Sequence, residues 1–346
     1  MSAAARAPIR VLWVAVSLEA GGAERQMVAL AKHLHGHGFD IDVILMRDAG
    51  GFTAEMRATG VRVRSLGMRS PGSASVVRAS LTAAIGLARY LWWARRGRYH
   101  VVDAWLQHPA MLATLTRRLT GIPTVIAGRR SSSRYKTTFG RLRRVADRRA
   151  TAWCDVIVAN ADAVKADVVH WEDVPPGKVR VIHNGVDPVI PLGATERVAQ
   201  RAAWGATDDT IVIGSVANLR PEKGLGAAIA AVAELRGQEV DVRLVIVGEG
   251  RERPALTRLI EDLDVGRQVR LHGSAADARL LYPAFDIALQ ASVSEGLPNA
   301  VLEAAAAGLP IVATDVGGTS EIIGEGAGIL VPAGDVEAMT RALSAL

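Results

Sequence analysis

Apolar and polar positions follow a pattern that runs through this chain twice. Short apolar runs of strand length fall at Arg10–Val16, Asp40–Leu45, Val61–Ser65, Val101–Ala104, Thr124–Ala127 and Val156–Ala159. Between them, Ala23–Leu34, Val76–Ala94 and Ala110–Leu119 carry helical spacing. The pattern then restarts, with apolar runs at Ile211–Val216, Arg243–Val247, Val269–Leu271, Asp286–Gln290 and Ile311–Ala313. Leu225–Leu235, Glu252–Leu263 and a stretch around Glu303 read as the intervening helices. Strands spaced by helices predict βαβ units and a parallel sheet. Two such series predict an α/β protein of two Rossmann-like domains, with parallel sheets facing a central cleft. The turn-rich segment His183-Asn-Gly-Val-Asp-Pro188 is the expected hinge, dividing residues 1–188 from 189–346.

Bulk properties narrow the class. A length of 346 residues exceeds one ordinary core, and 49% hydrophobic with 22% charged content marks a folded globular chain. The single cysteine, Cys154, leaves no disulfide framework and suits a reducing cytoplasm. Val11–Leu18 is short and reads as a buried strand rather than a leader, and Leu81–Trp93 is broken by Arg89, so no membrane span is expected. Charge is uneven. Residues 1–190 hold 28 Lys and Arg against 14 Asp and Glu, while the rest hold 13 against 21. A basic first half suits anionic lipid, nucleic acid or anionic substrates.

Candidate chemistry clusters where strands give way to helices. Glu295 and Glu303 lie eight apart in Ser292-Val-Ser-Glu-Gly-Leu-Pro-Asn-Ala-Val-Leu-Glu303, between two apolar runs. Pro298 suits a first helical turn, Ala304–Ala307 favour helix, and Gly308 with Pro310 stops it. Two acids at a strand's carboxyl end, beside a helix start, lie where open α/β sheets bind ligands. The plainer alternative is a solvated loop acid and a surface helix residue. Arg220 and Lys223, in Asn218-Leu-Arg-Pro-Glu-Lys-Gly224, can clamp a pyrophosphate or simply populate a charged turn. Gly21-Gly22 opens the first helix, where backbone amides favour an anion. His108 occupies a corresponding strand-to-helix edge. His33, His35 and His37 alternate around helix-ending glycines, which does not place them on one face for a metal.

Several classes lack their signatures. There is no G-x-G-x-x-G, no phosphate loop ending in Gly-Lys-Ser/Thr, and no G-x-S-x-G elbow. Arg129–Arg149 carries nine Arg and Lys with one acid, Asp147, and places Phe139, Leu142, Val145 and Ala146 at helical spacing. Arg89–Arg98 likewise mixes aromatics with arginine. Both read either as membrane-surface segments meeting acidic head groups or as ordinary helices with arginine in water. No nucleic-acid module is recognisable, so no nucleic-acid partner is expected.

Taken in order, these motifs resemble the retaining glycosyltransferases of family 4, which adopt the GT-B fold. The resemblance runs from Gly21-Gly22 through His108, Asn160-Ala-Asp162, His183–Asp187, Gly214–Gly224, Val247–Gly250, Val269–Gly273 and Glu295–Glu303 to Asp315–Gly318. It implies an acceptor-binding first domain and a second domain that holds a nucleotide-sugar donor, a UDP- or GDP-sugar, with no other cofactor. It also implies that Glu303 meets the ribose hydroxyls and Glu295 the donor sugar, with Arg220 and Lys223 neutralising the departing diphosphate. His108 would lie near the anomeric carbon and Gly22 against the diphosphate. Leu271, His272, Gly273 and Ser274 would contact the base, and Gly296 and Leu297 would line the donor. Retention by same-face attack, without a metal, is the implied chemistry. The expected acceptor is a lipid-linked saccharide or cell-envelope polysaccharide precursor, handled at the anionic inner face of the plasma membrane by a cytoplasmic peripheral enzyme. A sugar-nucleotide epimerase or hydrolase of the same architecture, or a non-catalytic sugar-nucleotide-binding protein, are the rival readings. Family members usually continue for some tens of residues beyond the helix expected near Asp335, so a short or missing final crossover helix is also expected.

Overall fold

The computed structural model describes residues 7–19, 21–48, 50–69, 76–131, 141–236, 241–324 and 326–346. The chain divides into two compact units, Met1–His183 and Asn184–Leu346.

The first unit contains strands β1 (Ile9–Ala15), β2 (Phe39–Leu45), β3 (Arg62–Ser65), β4 (Val101–Ala104), β5 (Thr124–Arg129), β6 (Val156–Ala159) and β7 (Val179–Val181). Its helices are α1 (Gly22–Leu34), α2 (Thr53–Ala58), α3 (Val76–Gly97), α4 (Gln107–Leu115), α5 (Arg117–Thr120), α6 (Arg141–Trp153) and α7 (Asp162–Glu172). The second unit contains β8 (Ile211–Val216), β9 (Val242–Val247), β10 (Val269–Gly273), β11 (Ile287–Gln290), β12 (Ile311–Thr314) and β13 (Gly328–Val331). Its helices are α8 (Ala194–Ala203), α9 (Leu225–Arg236), α10 (Arg253–Asp262), α11 (Asn299–Ala306), α12 (Thr319–Ile322) and α13 (Val336–Ser344).

Both sheets are parallel, in the orders β3-β2-β1-β4-β5-β6-β7 and β10-β9-β8-β11-β12-β13. Their strands are near-continuous apolar runs because helices cover both faces. In β1, Val11 through Ala15 are all buried; in β11 all four residues are. The order reverses direction between β1 and β4, and again between β8 and β11. At such a switch the loops on either side diverge and leave a crevice at the carboxyl edge, where open α/β sheets take ligands.

Most expected strands and helices agree with the structure to within a few residues. The structure adds β7, β13, α2, α7, α8 and α12. β7 is three residues long and gives almost no periodic signal. β13 opens on Gly328, where a Cβ would lie 2.3 Å from the Ile311 carbonyl oxygen, so tight strand packing demands a residue that reads as a breaker. Pro298 occupies the N-cap of α11 rather than its first turn.

The basic stretch needs correction. Arg129 is not a surface cation. It ends β5 with its guanidinium buried against Glu172 of α7, Nε–Oε1 3.0 Å and Nη2–Oε2 2.9 Å. Thr151 of α6 shares both partners. Residues 132–140 and the side chains of Leu142 and Ala146 lie outside the described residues.

Candidate functional site

In the second unit, four loops converge at the carboxyl edge of the sheet. Gly224, after β8, adopts φ +59°, and a Cβ there would sit 2.1 Å from the Ala291 carbonyl oxygen. Gly317, after β12, adopts φ +58°, with a Cβ position 2.3 Å from the Glu295 carbonyl oxygen. The neighbouring Gly318 amide donates to the Gly296 carbonyl at 2.6 Å. Only glycine combines this handedness with so close an approach of another backbone.

That packing brings Lys223 and Glu295 together across the β8/β11 switch, 72 positions apart in sequence, at Nζ–Oε1 2.6 Å. The Ser292 hydroxyl donates to the same carboxylate oxygen at 2.6 Å. Both side chains are largely shielded, Lys223 at 25% and Glu295 at 12% exposure, so their attraction is stronger than that of a solvated pair. Below them, Gln290 Oε1 accepts from the Thr314 amide and hydroxyl at 3.1 and 3.0 Å, and the Thr314 hydroxyl also contacts the Ser292 carbonyl. The floor of the loop is thus latched to β12. Arg220 differs in kind. Its side chain is 52% exposed and approaches Glu222 only at 4.0 Å. One cation is held in reserve by a carboxylate, while the other faces solvent.

Glu303 follows the first turn of α11 and is 6% exposed, which removes the surface-residue alternative. The Tyr282 hydroxyl lies 3.2 Å from Glu303 Oε2 and 3.0 Å from the Ala300 carbonyl. Gly296 and Leu297, in the loop that leads into α11, are buried. At the end of β10, the Gly273 carbonyl accepts from the Gly248 amide at 2.8 Å, so it is already engaged. Leu271 and His272 are half-buried and Ser274 is exposed. The indole N–H of Trp204 donates to His272 Nδ1 at 3.2 Å. Burial, and then Arg270, hold the His272 pKa below its ordinary value.

In the first unit, Gly22 and His108 lie at the starts of the helices that follow β1 and β4, the strands of the switch. Gly22 begins α1 directly after the extended N-cap Gly21. His108 is exposed in the first turn of α4. The N-cap before it, Leu106, has φ 72° and ψ 179°, a region almost reserved for glycine, so this loop stores backbone strain. Arg130 stacks over Trp105 at 4.0 Å from the ring centroid, and Trp105 meets Trp13 edge-on at 5.6 Å. Burial pushes the Asp103 carboxyl up to about 6 against the opposing pull of Arg130. Burial likewise lowers Arg130 to about 10, against the pull of Asp103 and Glu24.

The raised Asp103 value has a pH consequence. The folded chain binds this proton more tightly than the unfolded chain, whose carboxyl titrates near 3.8. The stabilising contribution is therefore full below that pH and is lost as pH rises to about 6. Urea unfolding should show Asp103→Asn gaining on the parent protein between those limits, with a constant difference above them.

Two of the three histidines serve the backbone. His33 Nδ1 lies 2.8 Å from the Ala29 carbonyl, and His35 Nδ1 accepts from the Ile41 amide at 3.2 Å. Tyr282, Trp204, Ser292, Asp103 and Arg130 were not singled out by sequence reasoning. Apart from Ser292, whose partner Glu295 is three residues on, each acts through a partner distant in sequence, which no local motif reveals.

The two parallel-sheet units, each with its crevice at the carboxyl edge, define the GT-B fold, as comparison with known structures bears out. HepE of Anabaena in complex with UDP-glucose superposes with a TM-score of 0.84 at 21% identity, covering 97% of this chain and 89% of that one. Sucrose-phosphate synthase of Thermosynechococcus elongatus superposes at 0.79 with 17% identity, covering 97% and 89%. Residues 20–189 match the model of glycosyltransferase family 4, and residues 210–346 match that of the group 1 glycosyl transferases. The chain belongs to this glycosyltransferase family. A D-inositol 3-phosphate glycosyltransferase of Corynebacterium urealyticum is 33% identical over 59% of this chain and 51% of its own length. A protein of that description from Streptomyces griseus is 26% identical over 99% of this chain and 82% of its own. The chain spans about half the length of several of the curated relatives it matches.

Proposed function

We propose that this protein transfers a sugar, with retention, from a nucleotide-sugar donor to a lipid-linked saccharide or cell-envelope glycan precursor. The observation that carries this reading is the Lys223–Glu295 pair at the switch crevice, with Arg220 beside it and Glu303 buried at α11. Departure of a nucleoside diphosphate builds negative charge. Lys223 can exchange its carboxylate for that phosphate, and Arg220 can approach it from solvent. These cations supply the charge that a divalent ion would otherwise provide. Glu295, once released, is placed to accept from donor sugar hydroxyls, and Glu303 from the ribose. The first domain, with Gly22 and His108 at its own strand-order switch, takes the acceptor. The UDP and UDP-glucose bound by HepE favour a UDP-sugar over the GDP-sugar also expected.

The deciding assay is release of nucleoside diphosphate from UDP- and GDP-sugars, with and without candidate acceptor. Acceptor-dependent release with the sugar on the acceptor supports transfer. Acceptor-independent release means hydrolysis, an altered sugar nucleotide means epimerisation, and binding without turnover means a sensor.

A membrane-facing acceptor agrees with α3. Its inward positions, Ala79, Gly86, Tyr90 and Ala94, are small apart from the tyrosine. Its outward positions include Leu81 and Trp92, both 59% exposed, and Ile85 at 44%. Arg78, Arg89, Arg95 and Arg96 flank them, and Val76–Gly97 contains no acid. Apolar side chains framed by arginine suit an anionic bilayer surface such as the cytoplasmic leaflet. Among the described residues no helix is long and apolar enough to cross a membrane. Liposomes rich in phosphatidylglycerol should sediment the protein at low salt, and Trp92→Ser with Arg96→Glu should weaken this by about tenfold or more. Equal sedimentation with neutral liposomes would remove the charge argument.

A further inference from the structure

A row of buried aromatic rings runs beneath the second domain's ligand edge and joins two residues expected to touch the nucleotide. Tyr282 is 2% exposed and reaches Glu303 Oε2 at 3.2 Å. Phe285 meets Tyr282 edge-on, with centroids 5.8 Å apart. Trp204 stacks on Phe285 at 5.3 Å, and its N–H donates to His272 Nδ1 at 3.2 Å. The row thus links Glu303, on α11, to His272, at the far edge strand β10.

The sheet above is cut to fit. A Cβ at Gly214 of β8 would lie 2.1 Å from the Phe285 ring, so that strand gives up a side chain to let the ring pass. Tyr282 comes from the short 3₁₀ segment Ala278–Ala284, and Trp204 caps α8. The row is therefore assembled from four elements around one ring.

Its two polar ends have definite chemistry. The one Tyr282 hydroxyl proton lies between the Ala300 carbonyl at 3.0 Å and Glu303 Oε2 at 3.2 Å; given to the charged acceptor, the carboxylate, it fixes one oxygen without neutralising it. An indole N–H can only donate, so His272 must present the lone pair of Nδ1 to it and carry its proton on Nε2 when neutral. Arg270 and burial both favour that neutral form.

We propose that Tyr282 and Trp204 are positioning residues for nucleotide recognition, Tyr282 aiming the Glu303 carboxylate at the ribose hydroxyls and Trp204 holding His272 as a fixed N–H donor toward the base. This rests on the proposed ribose role of Glu303. Positioning of this kind cuts the ordering that binding would otherwise require. It acts on ribose selectivity rather than on binding in general.

The test uses uridine or guanosine diphosphate, whichever binds more tightly, and its 2′,3′-dideoxy form, titrated calorimetrically into the full chain. Glu303→Gln and Tyr282→Phe should each weaken the ribonucleotide by about five- to tenfold and the dideoxy form by less than about twofold. The double variant should lose little more than Glu303→Gln alone. If Glu303→Gln shows no selective loss, the ribose reading itself fails. If it does and Tyr282→Phe does not, or Tyr282→Phe weakens both nucleotides alike, the positioning role is overturned. Trp204→Phe keeps an aromatic ring and provides an independent arm. The His272 ring, followed by NMR titration, should shift to a higher pKa in this variant, and an unchanged titration would overturn the Trp204 role.

Discussion

Lys223→Ala is expected to lower kcat by about two to three orders of magnitude, the loss seen when one preorganised partner of a developing oxyanion is removed. The charge lost is the better shielded of the two candidate cations, at 25% exposure against 52% for Arg220. Removing Lys223 also leaves Glu295 without its 2.6 Å partner at the switch crevice. An unpaired carboxylate there repels the donor diphosphate, so KM should rise as well. Arg220→Ala should behave differently. Arg220 is 52% exposed and loosely paired, so its loss should fall on kcat with a smaller change in KM. A Lys223→Ala variant with turnover within about threefold of the parent would end the charge-stabilising role proposed for this residue. Steady-state kinetics with the donor identified by the release assay give both parameters.

The largest stability effect is expected at the opposite end of the chemistry, in the first unit. Glu172→Ala should destabilise that unit by about 3–5 kcal/mol, because it strands the Arg129 guanidinium inside the protein. The two side chains are 1% and 5% exposed and share a paired geometry that water cannot reproduce. Joint replacement, Arg129→Met with Glu172→Leu, should recover most of that loss, since the desolvation penalty goes with both charges. Because two compact units need not unfold together, the measurement is the denaturant midpoint of the first-unit transition, followed by hydrogen exchange in β5 and α7. Equal midpoints for Glu172→Ala and the parent would show that the buried pair is solvated on a relevant timescale.

Much of the fold was legible because parallel sheets write themselves as apolar runs. The strands β4, β6 and β8 agree with the expected bounds, β2 and β9 begin one residue earlier, and β1 is displaced by one residue at both ends. The carboxyl-edge loops were legible for the same reason, since each candidate motif follows such a run. The missed strands were too short or began with glycine. α3 shows a subtler limit. Its helical spacing was correct, but an apolar stripe does not say which way it faces. Here the small residues and Tyr90 turn inward, and Leu81, Ile85 and Trp92 turn out.

The basic stretch shows the same limit in charge. Counting arginines cannot separate Arg129, buried against Glu172, from the exposed arginines of α3, because burial depends on what packs over a residue from elsewhere in the chain. His33, His35 and His37 looked like ligands by composition, yet two of them turned to the nearest backbone groups.

The sequence by itself determined the architecture of alternating strands and helices, the two-unit plan, and the positions of Glu295, Glu303, Arg220, Lys223, Gly22 and His108 at strand-to-helix edges. Those are local properties, set by apolar periodicity and by residues that start or stop helices. Only the tertiary structure decided which of them meet. Strand order places the loops after β8 and β11 side by side, and so joins Lys223 to Glu295 across 72 positions. Packing of rings beneath the sheet joins Glu303 to Tyr282 and His272 to Trp204. The physical reason is the range of the forces involved: backbone propensity acts over one or two turns, whereas ion pairs and ring contacts act between any residues that the sheet order brings within a few ångströms.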